Sequence, residues 1–143
     1  MPGTYGSAQG AILYLVLAPL AARLPYHPWL LTAAVLLLVV FSLLIIAAAL
    51  PHFSSDDPSA IVLDEVAGQA LTLLPLAFLP AVPGIPWIAV GAGFLLFRTL
   101  DTLKPYPIWK LGHLKGAWGV LADDLGAGLV AALLLFALTR LGI

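Results

Sequence analysis

The stretch PWLLTAAVLLLVVFSLLIIAAAL, Pro28 to Leu50, runs for 23 residues without a charged side chain. A helix rises about 1.5 Å per residue, so a run of this length crosses the roughly 30 Å apolar core of a bilayer. Pro51 closes it. Outward from this stretch, charges divide the chain into long empty segments and short crowded ones, and the empty segments predict four further spans. The first, about Ser7 to Ala22, is interrupted by Pro19 and ended by Arg23, which predicts a tilted, broken or partly re-entrant segment. The third begins near Ala60 and stays apolar to Pro80, with a kink expected at Pro75, and a turn rich in Pro and Gly follows from Pro80 to Pro86. The fourth runs from Trp87 to about Leu103 and the fifth from about Val120 to Leu141, with an interfacial segment, Lys104 to Gly119, between them. The expected fold is all-α: a small polytopic membrane bundle of about five membrane helices plus an interfacial segment, forming one domain over residues 1–143.

Composition agrees. Of 143 residues, 62% are hydrophobic and only six are basic and seven acidic, which argues against an ordinary soluble domain. A net charge of -1 and a pI near 6.2 leave no basic footprint, so nucleic acid is not an expected partner. The lack of cysteine removes disulfides, thiolate metal sites and thiol nucleophiles together. Met1 to Gly6 carries no charge, so no removable targeting segment is expected.

Alternate threading of five spans places nearly all the polar chemistry at one face: Pro2 to Ser7, His52 to Glu65, Arg98 to Lys115 and the Asp123/Asp124 pair. Arg23, His27 and Arg140 fall opposite. Lys104, Lys110 and Lys115 load the crowded face, and the positive-inside rule puts that face in the cytoplasm, with the N-terminus in and the C-terminus out.

All seven carboxylates share this face, four of them as the adjacent pairs Asp64/Glu65 and Asp123/Asp124 near helix starts. Such groups are costly near lipid and generally face a protein interior or an aqueous cavity. Helix-start dipole compensation explains any single one. Several converging on one face suit a hard, oxygen-preferring cation, with Mg²⁺ the leading choice. Arg98 and Asp101, three apart on one helix, read as an intrahelical ion pair, and Arg98 with Lys104 beside the carboxylates reads also as a pair of cations for a phosphate, two compatible roles. Gly68, Gly91, Gly93, Gly126 and Gly128 read as close-packing positions, and His52 and His113 as interfacial residues. Gln69, four residues after Glu65, reads as its neighbour or as an interhelical hydrogen-bonding group.

Four segments taken together, Pro2-Gly-Thr-Tyr-Gly-Ser7, Asp57 to Gly68, Phe97 to Ile108 and Lys115 to Gly128, resemble the phosphatidylglycerophosphatase A family across almost the whole chain. The resemblance implies a Mg²⁺-dependent hydrolysis of phosphatidylglycerophosphate to phosphatidylglycerol and phosphate at the bacterial cytoplasmic membrane. It also implies a set of functional positions: Asp57, Asp64, Glu65, Arg98, Asp101, Lys104, Asp123 and Asp124, with Thr4 and Ser7. The expected roles are Asp64, Glu65, Asp123 and Asp124 as metal ligands and Arg98 and Lys104 on the phosphate. Thr4 and Ser7 would bond the headgroup or phosphate. Asp57 and Asp101 would be further ligands or the base, as Asp64 itself would be a catalytic group. The substrate lipid and the bilayer are the expected partners. Rival readings are a phosphatase of another lipid phosphate and a small cation-binding or transport protein. The Asp-Gly-x-x-Ala-Arg signature of CDP-alcohol phosphotransferases is missing, and a transporter's acids belong near the middle of its spans rather than gathered at one end.

Overall fold

The computed structural model describes residues 2–55, 58, 60–79 and 85–142, with backbone alone at positions 85 and 86. It is helical, and no strand occurs among the described residues. The order is α1 (Pro2–Ala21), α2 (His27–Ala49) with a 3₁₀ turn (Leu50–His52), α3 (Leu63–Leu73) with a 3₁₀ turn (Leu74–Phe78), α4 (Ile85–Leu103), the short α5 (Ile108–Leu111) and α6 (Ala117–Arg140).

Among the described residues, two helices are long and apolar enough to cross a membrane: His27–His52, which is α2 with its 3₁₀ extension, and α6. The expected third span has a different shape from the one read in the sequence. Pro75 has no N–H to donate and its ring crowds the carbonyl four residues back, so α-geometry ends at Leu73 and tighter 3₁₀ bonding takes over. α1, in contrast, is unbroken from Pro2 and carries Pro19 inside its last turn. α6 starts at Ala117, before the expected Val120, because Gly116 at φ 67 turns the chain into it. The turn at 80–84 lies outside the described residues.

α3 is the axis of the bundle. Eight of its 11 residues are buried, and it packs chiefly between α1 and α6. Lipid tails are as apolar as leucine, so helices in a membrane gain little from hiding leucines and much from close backbone approach. Small residues supply that approach here. A Cβ on Gly68 would stand 2.7 Å from the Asp124 carbonyl oxygen, and one on Gly128 would stand 2.5 Å from the Gly68 carbonyl oxygen. The Thr72 hydroxyl lies at the same crossing, 2.9 Å from the Gly68 carbonyl and 3.3 Å from that of Gly128. On the other side of α3, Gly3, Gly6 and Gly10 of α1 lie against Glu65, Val62 and Val66 with Gln69. Gly93 packs on Leu73 and Leu135 and Gly126 on Leu111, but no atom of the described residues lies within 4 Å of a Cβ at Gly91, which is exposed.

α2 lies at the periphery. Its buried residues, Leu31, Val35, Ser42 and Ile46, form one stripe, and Leu36, Leu37, Val40, Phe41 and Leu44 are exposed. Exposed apolar side chains also mark α1 (Ile12, Val16, Leu20), α4 (Ile88, Leu95) and α6 (Leu129, Leu133). The Trp29–Phe78 ring contact brings the start of α2 to the end of the second 3₁₀ turn, so both lie opposite the acidic end of α3.

Candidate active site

Four helix ends meet at the polar end of the bundle: the starts of α1, α3 and α6 and the end of α4. They enclose a cavity of about 190 Å³ whose wall includes five carboxylates, Asp64, Glu65, Asp101, Asp123 and Asp124, with Lys104, and whose apolar side is Pro58, Ile61 and Val120.

Asp64, Glu65 and Asp124 each aim a carboxylate oxygen at a common point, the three oxygens lying within 4.8 Å of one another. Adjacent helix positions point about 100° apart, yet both members of the Asp64/Glu65 pair reach this point. They do so because α3 is enclosed by neighbours rather than flanking a single cavity. The second pair separates: Asp124 faces Asp101 and Asp64, whereas Asp123 turns to Lys104. Asp64 Oδ1 and Glu65 Oε2 are buried without a hydrogen-bond partner. Buried like charges repel and have lost their water, so they require donors or a cation. Hard oxygen donors at this spacing with unmatched lone pairs fit a divalent cation of the Mg²⁺ type.

Lys104 ends α4 through an N–H bond to the Leu100 carbonyl (2.8 Å) and a left-handed backbone at φ 42, which Pro105 then extends. Its ammonium donates to Asp123 Oδ2, and Asp123 Oδ1 accepts the Asp124 N–H at 3.0 Å. Burial works to lower the Lys104 pKa. The hydrogen bond to Asp123 outweighs it, with the charges of Asp123, Asp124 and Asp101, and the pKa is raised above its ordinary value. Arg98 pairs with Asp101 within α4, so the intrahelical ion pair forms at the rim of the same cavity. The Arg98 guanidinium and Glu65 Oε1 both lie against Gly3, whose Cβ would meet them at 3.1 and 2.5 Å, so a side chain there would push apart two site groups.

Of the other expected positions, Thr4 is half-buried in the first turn of α1. Ser7 is fully buried, and its hydroxyl donates to the Gly3 carbonyl at 2.9 Å, engaged by its own helix. Asp57 lies outside the described residues. His113 is exposed and bonds the Trp109 carbonyl at 2.9 Å. Gln69 is fully enclosed one turn from Glu65, and neither its amide nitrogen nor its oxygen has a hydrogen-bond partner. The sequence reading passed over Gly3, Gly6 and Gly10, although their three-and-four spacing marks one face of a helix.

Comparison with known proteins bears on what this site does. Residues 1–139 match the family described as Phosphatidylglycerophosphatase A. A protein of Escherichia coli (strain K12) named Phosphatidylglycerophosphatase A is 32% identical over 138 residues, which is 95% of this chain and 73% of that protein. A protein of the same name from Haemophilus influenzae is 31% identical over 138 residues, 96% of this chain and 78% of the relative. A Bacteroides thetaiotaomicron protein named Putative phosphatidylinositol-3-phosphatase is 34% identical over 135 residues, 94% of this chain and 80% of the relative. No solved structure matches the chain significantly.

Proposed function

Because the chain belongs to the phosphatidylglycerophosphatase A family and is therefore a phosphatase, we propose that it hydrolyses the terminal phosphomonoester of phosphatidylglycerophosphate with Mg²⁺, releasing phosphatidylglycerol and inorganic phosphate in phospholipid synthesis. One observation carries the metal requirement: three converging carboxylates, Asp64 and Asp124 buried and Glu65 half-buried, with an unmatched buried oxygen on Asp64 and on Glu65. Asp64, Glu65 and Asp124 would hold the ion, with Asp123 beside them. When bound, Mg²⁺ neutralises charge on the phosphoryl oxygens.

The chain's own residues do the rest. Arg98 at the rim and Lys104 in the wall flank the carboxylates, and both hold phosphoryl oxygens as charge builds on them. Lys104, which donates to Asp123, would turn to the phosphate in doing so, and Asp123 would stay beside the metal-holding carboxylates. Asp101 fixes the Arg98 fork through Oδ2. Asp101 also takes the proton of the attacking water, and water on the opposite side of phosphorus protonates the leaving glycerol oxygen. Asp57 is a further base or ligand. Ser7, turned to its own helix, positions the start of α1, and Thr4 bonds the headgroup.

The exposed apolar belts on α1, α2, α4 and α6 support a multi-pass bundle in which the 3₁₀-extended α3 is the fifth membrane segment. Lys104, Lys110 and Lys115 at the site's end support a cytoplasmic face in a bacterial inner membrane. The relative named for phosphatidylinositol 3-phosphate favours a second reading, the monoester of a different lipid. Phosphate release from the two lipids in mixed micelles, with Mg²⁺ and with EDTA, separates the readings, and Asp64→Asn reports contaminating activity. Faster, EDTA-sensitive release from phosphatidylglycerophosphate, lost in the variant, is expected. Folded protein that releases no phosphate with any divalent metal would overturn the proposal.

A further inference from the structure

Beside the carboxylate cavity, towards α2, the polar end carries a second and larger concavity of about 420 Å³, lined among the described residues by Ala47, Leu50, Phe53, Ser54, Ser55 and Ala117 with Pro51 and Gly116, none of them ionisable. The two hollows share a wall. Leu50 and Ala117 of the groove and Ile61 and Val120 of the cavity all pack on the cluster around buried Ile46, so one layer of apolar side chains separates them. Ala117 and Val120 stand one turn apart on α6.

Away from the cavity the groove runs onto bare helix. Leu37, Val40, Phe41 and Leu44 line a shallow apolar depression of about 400 Å³ on α2, and Ala47 carries the same face into the groove. Steps of three and four residues keep these positions on one side of the helix. The ten helical steps from Leu37 to Ala47 rise about 15 Å, which is the depth of one leaflet of a roughly 30 Å core.

We propose that this face and groove bind the diacylglycerol part of the substrate lipid. An acyl chain lies along Leu37 to Leu44, and the glycerol ester region sits in the groove between Ala47, Ser55 and Ala117. The phosphorylated headgroup passes over the half-buried Ile61, at the edge of that apolar wall, into the carboxylates. The inference rests on the lipid phosphatase reading and adds the subsite that selects a membrane lipid over a soluble phosphomonoester. A lipid fits better than a partner helix because the track is one leaflet deep and ends at the phosphate site.

Ala47 is exposed, so Ala47→Trp fills the groove without entering the core, and Leu129→Trp places the same ring on an exposed apolar face of α6. With dioleoyl phosphatidylglycerophosphate in mixed micelles, Ala47→Trp is expected to raise KM about ten-fold, or ~1.4 kcal/mol of lost lipid binding, with kcat held within about two-fold. Leu129→Trp is expected to stay near wild type with either the dioleoyl or the dihexanoyl lipid, and Ala47→Trp is expected to raise KM for both, because the glycerol ester region of each uses the same groove. Equal thermal stability of the three proteins confirms that folding is unchanged. Wild-type protein inactive on the lipid refutes the catalytic reading. Active wild type with an unchanged KM for Ala47→Trp refutes the track, and an altered oligomeric size at unchanged KM assigns the face to a second copy of the chain and refutes it equally.

Discussion

Gly68→Ala adds a single methyl group where α3 crosses α6. That carbon would stand 2.7 Å from the Asp124 carbonyl oxygen and 2.6 Å from the Phe97 ring, against 3.4 Å for ordinary contact. The Asp124 carbonyl is backbone and Phe97 is completely buried, so neither swings aside. The helices must therefore part by about 0.7 Å, a small-to-large strain that costs about 1–3 kcal/mol. The shift carries Asp64 and Glu65 with it, one turn away, and moves Asp124 in the opposite direction. Displacements near 1 Å in a catalytic constellation cost on the order of 100-fold in rate. Gly91→Ala is the matched control, because nothing lies within 4 Å of its Cβ position and the exchange removes a helix-interior glycine. It is expected to be neutral or stabilising by up to ~1 kcal/mol. Thermal unfolding in detergent together with phosphate release gives both readouts. If Gly68→Ala melts and turns over like Gly91→Ala, the close crossing is not what holds the carboxylates in place.

Glu65→Gln keeps shape but loses charge, and its turnover loss should exceed the roughly 100-fold typical of outer-shell partners, with a raised Mg²⁺ requirement in a metal titration. A wild-type Mg²⁺ curve would remove Glu65 from the ligand set. Lys104→Met takes away the ammonium bound to Asp123 and should destabilise by about 1–3 kcal/mol, as breaking a partly buried charged hydrogen bond does, and lower turnover more than Lys104→Arg. Equal activity in the two variants would show that no cation is needed there. Gln69→Leu replaces an enclosed amide that has no hydrogen-bond partner, and stability should hold or rise by up to ~2 kcal/mol. A fall in melting temperature would reveal a bonded amide, such as one held by internal water.

Much of this was legible in the sequence because charge is scarce enough to act as punctuation. The uncharged run ending at Leu50 returned as α2 nearly to the residue, and the gathering of acids at one end followed from alternate threading. Local readings failed where backbone chemistry overrode hydropathy. The kink expected at Pro75 falls in the right place, but instead of a bent α-helix it turns Leu74–Phe78 to 3₁₀ geometry, which hydropathy does not distinguish. Adjacent acids were not resolvable either. Whether Asp123 or Asp124 enters the cluster depends on how α6 is rotated, and the Gly68–Gly128 contact sets that rotation from a distant part of the chain. Gly91 shows the converse error, since a glycine between packed helices and one facing outward look alike in a sequence.

The burial of α3 between α1 and α6 also bears on how the protein is made. Gly68 and Gly128 touch across 60 residues of chain. At about 5–20 residues per second, the ribosome delivers the second of them roughly 3–12 s after the first. During that interval α3, with its two acids and its glycine-lined flank, has only the earlier helices to lean on. A chain stalled before Gly128 therefore presents an unfinished polar seam to quality-control proteases. Closure of that seam waits on α6, so expression yield should fall when the Gly128 face of α6 is disrupted.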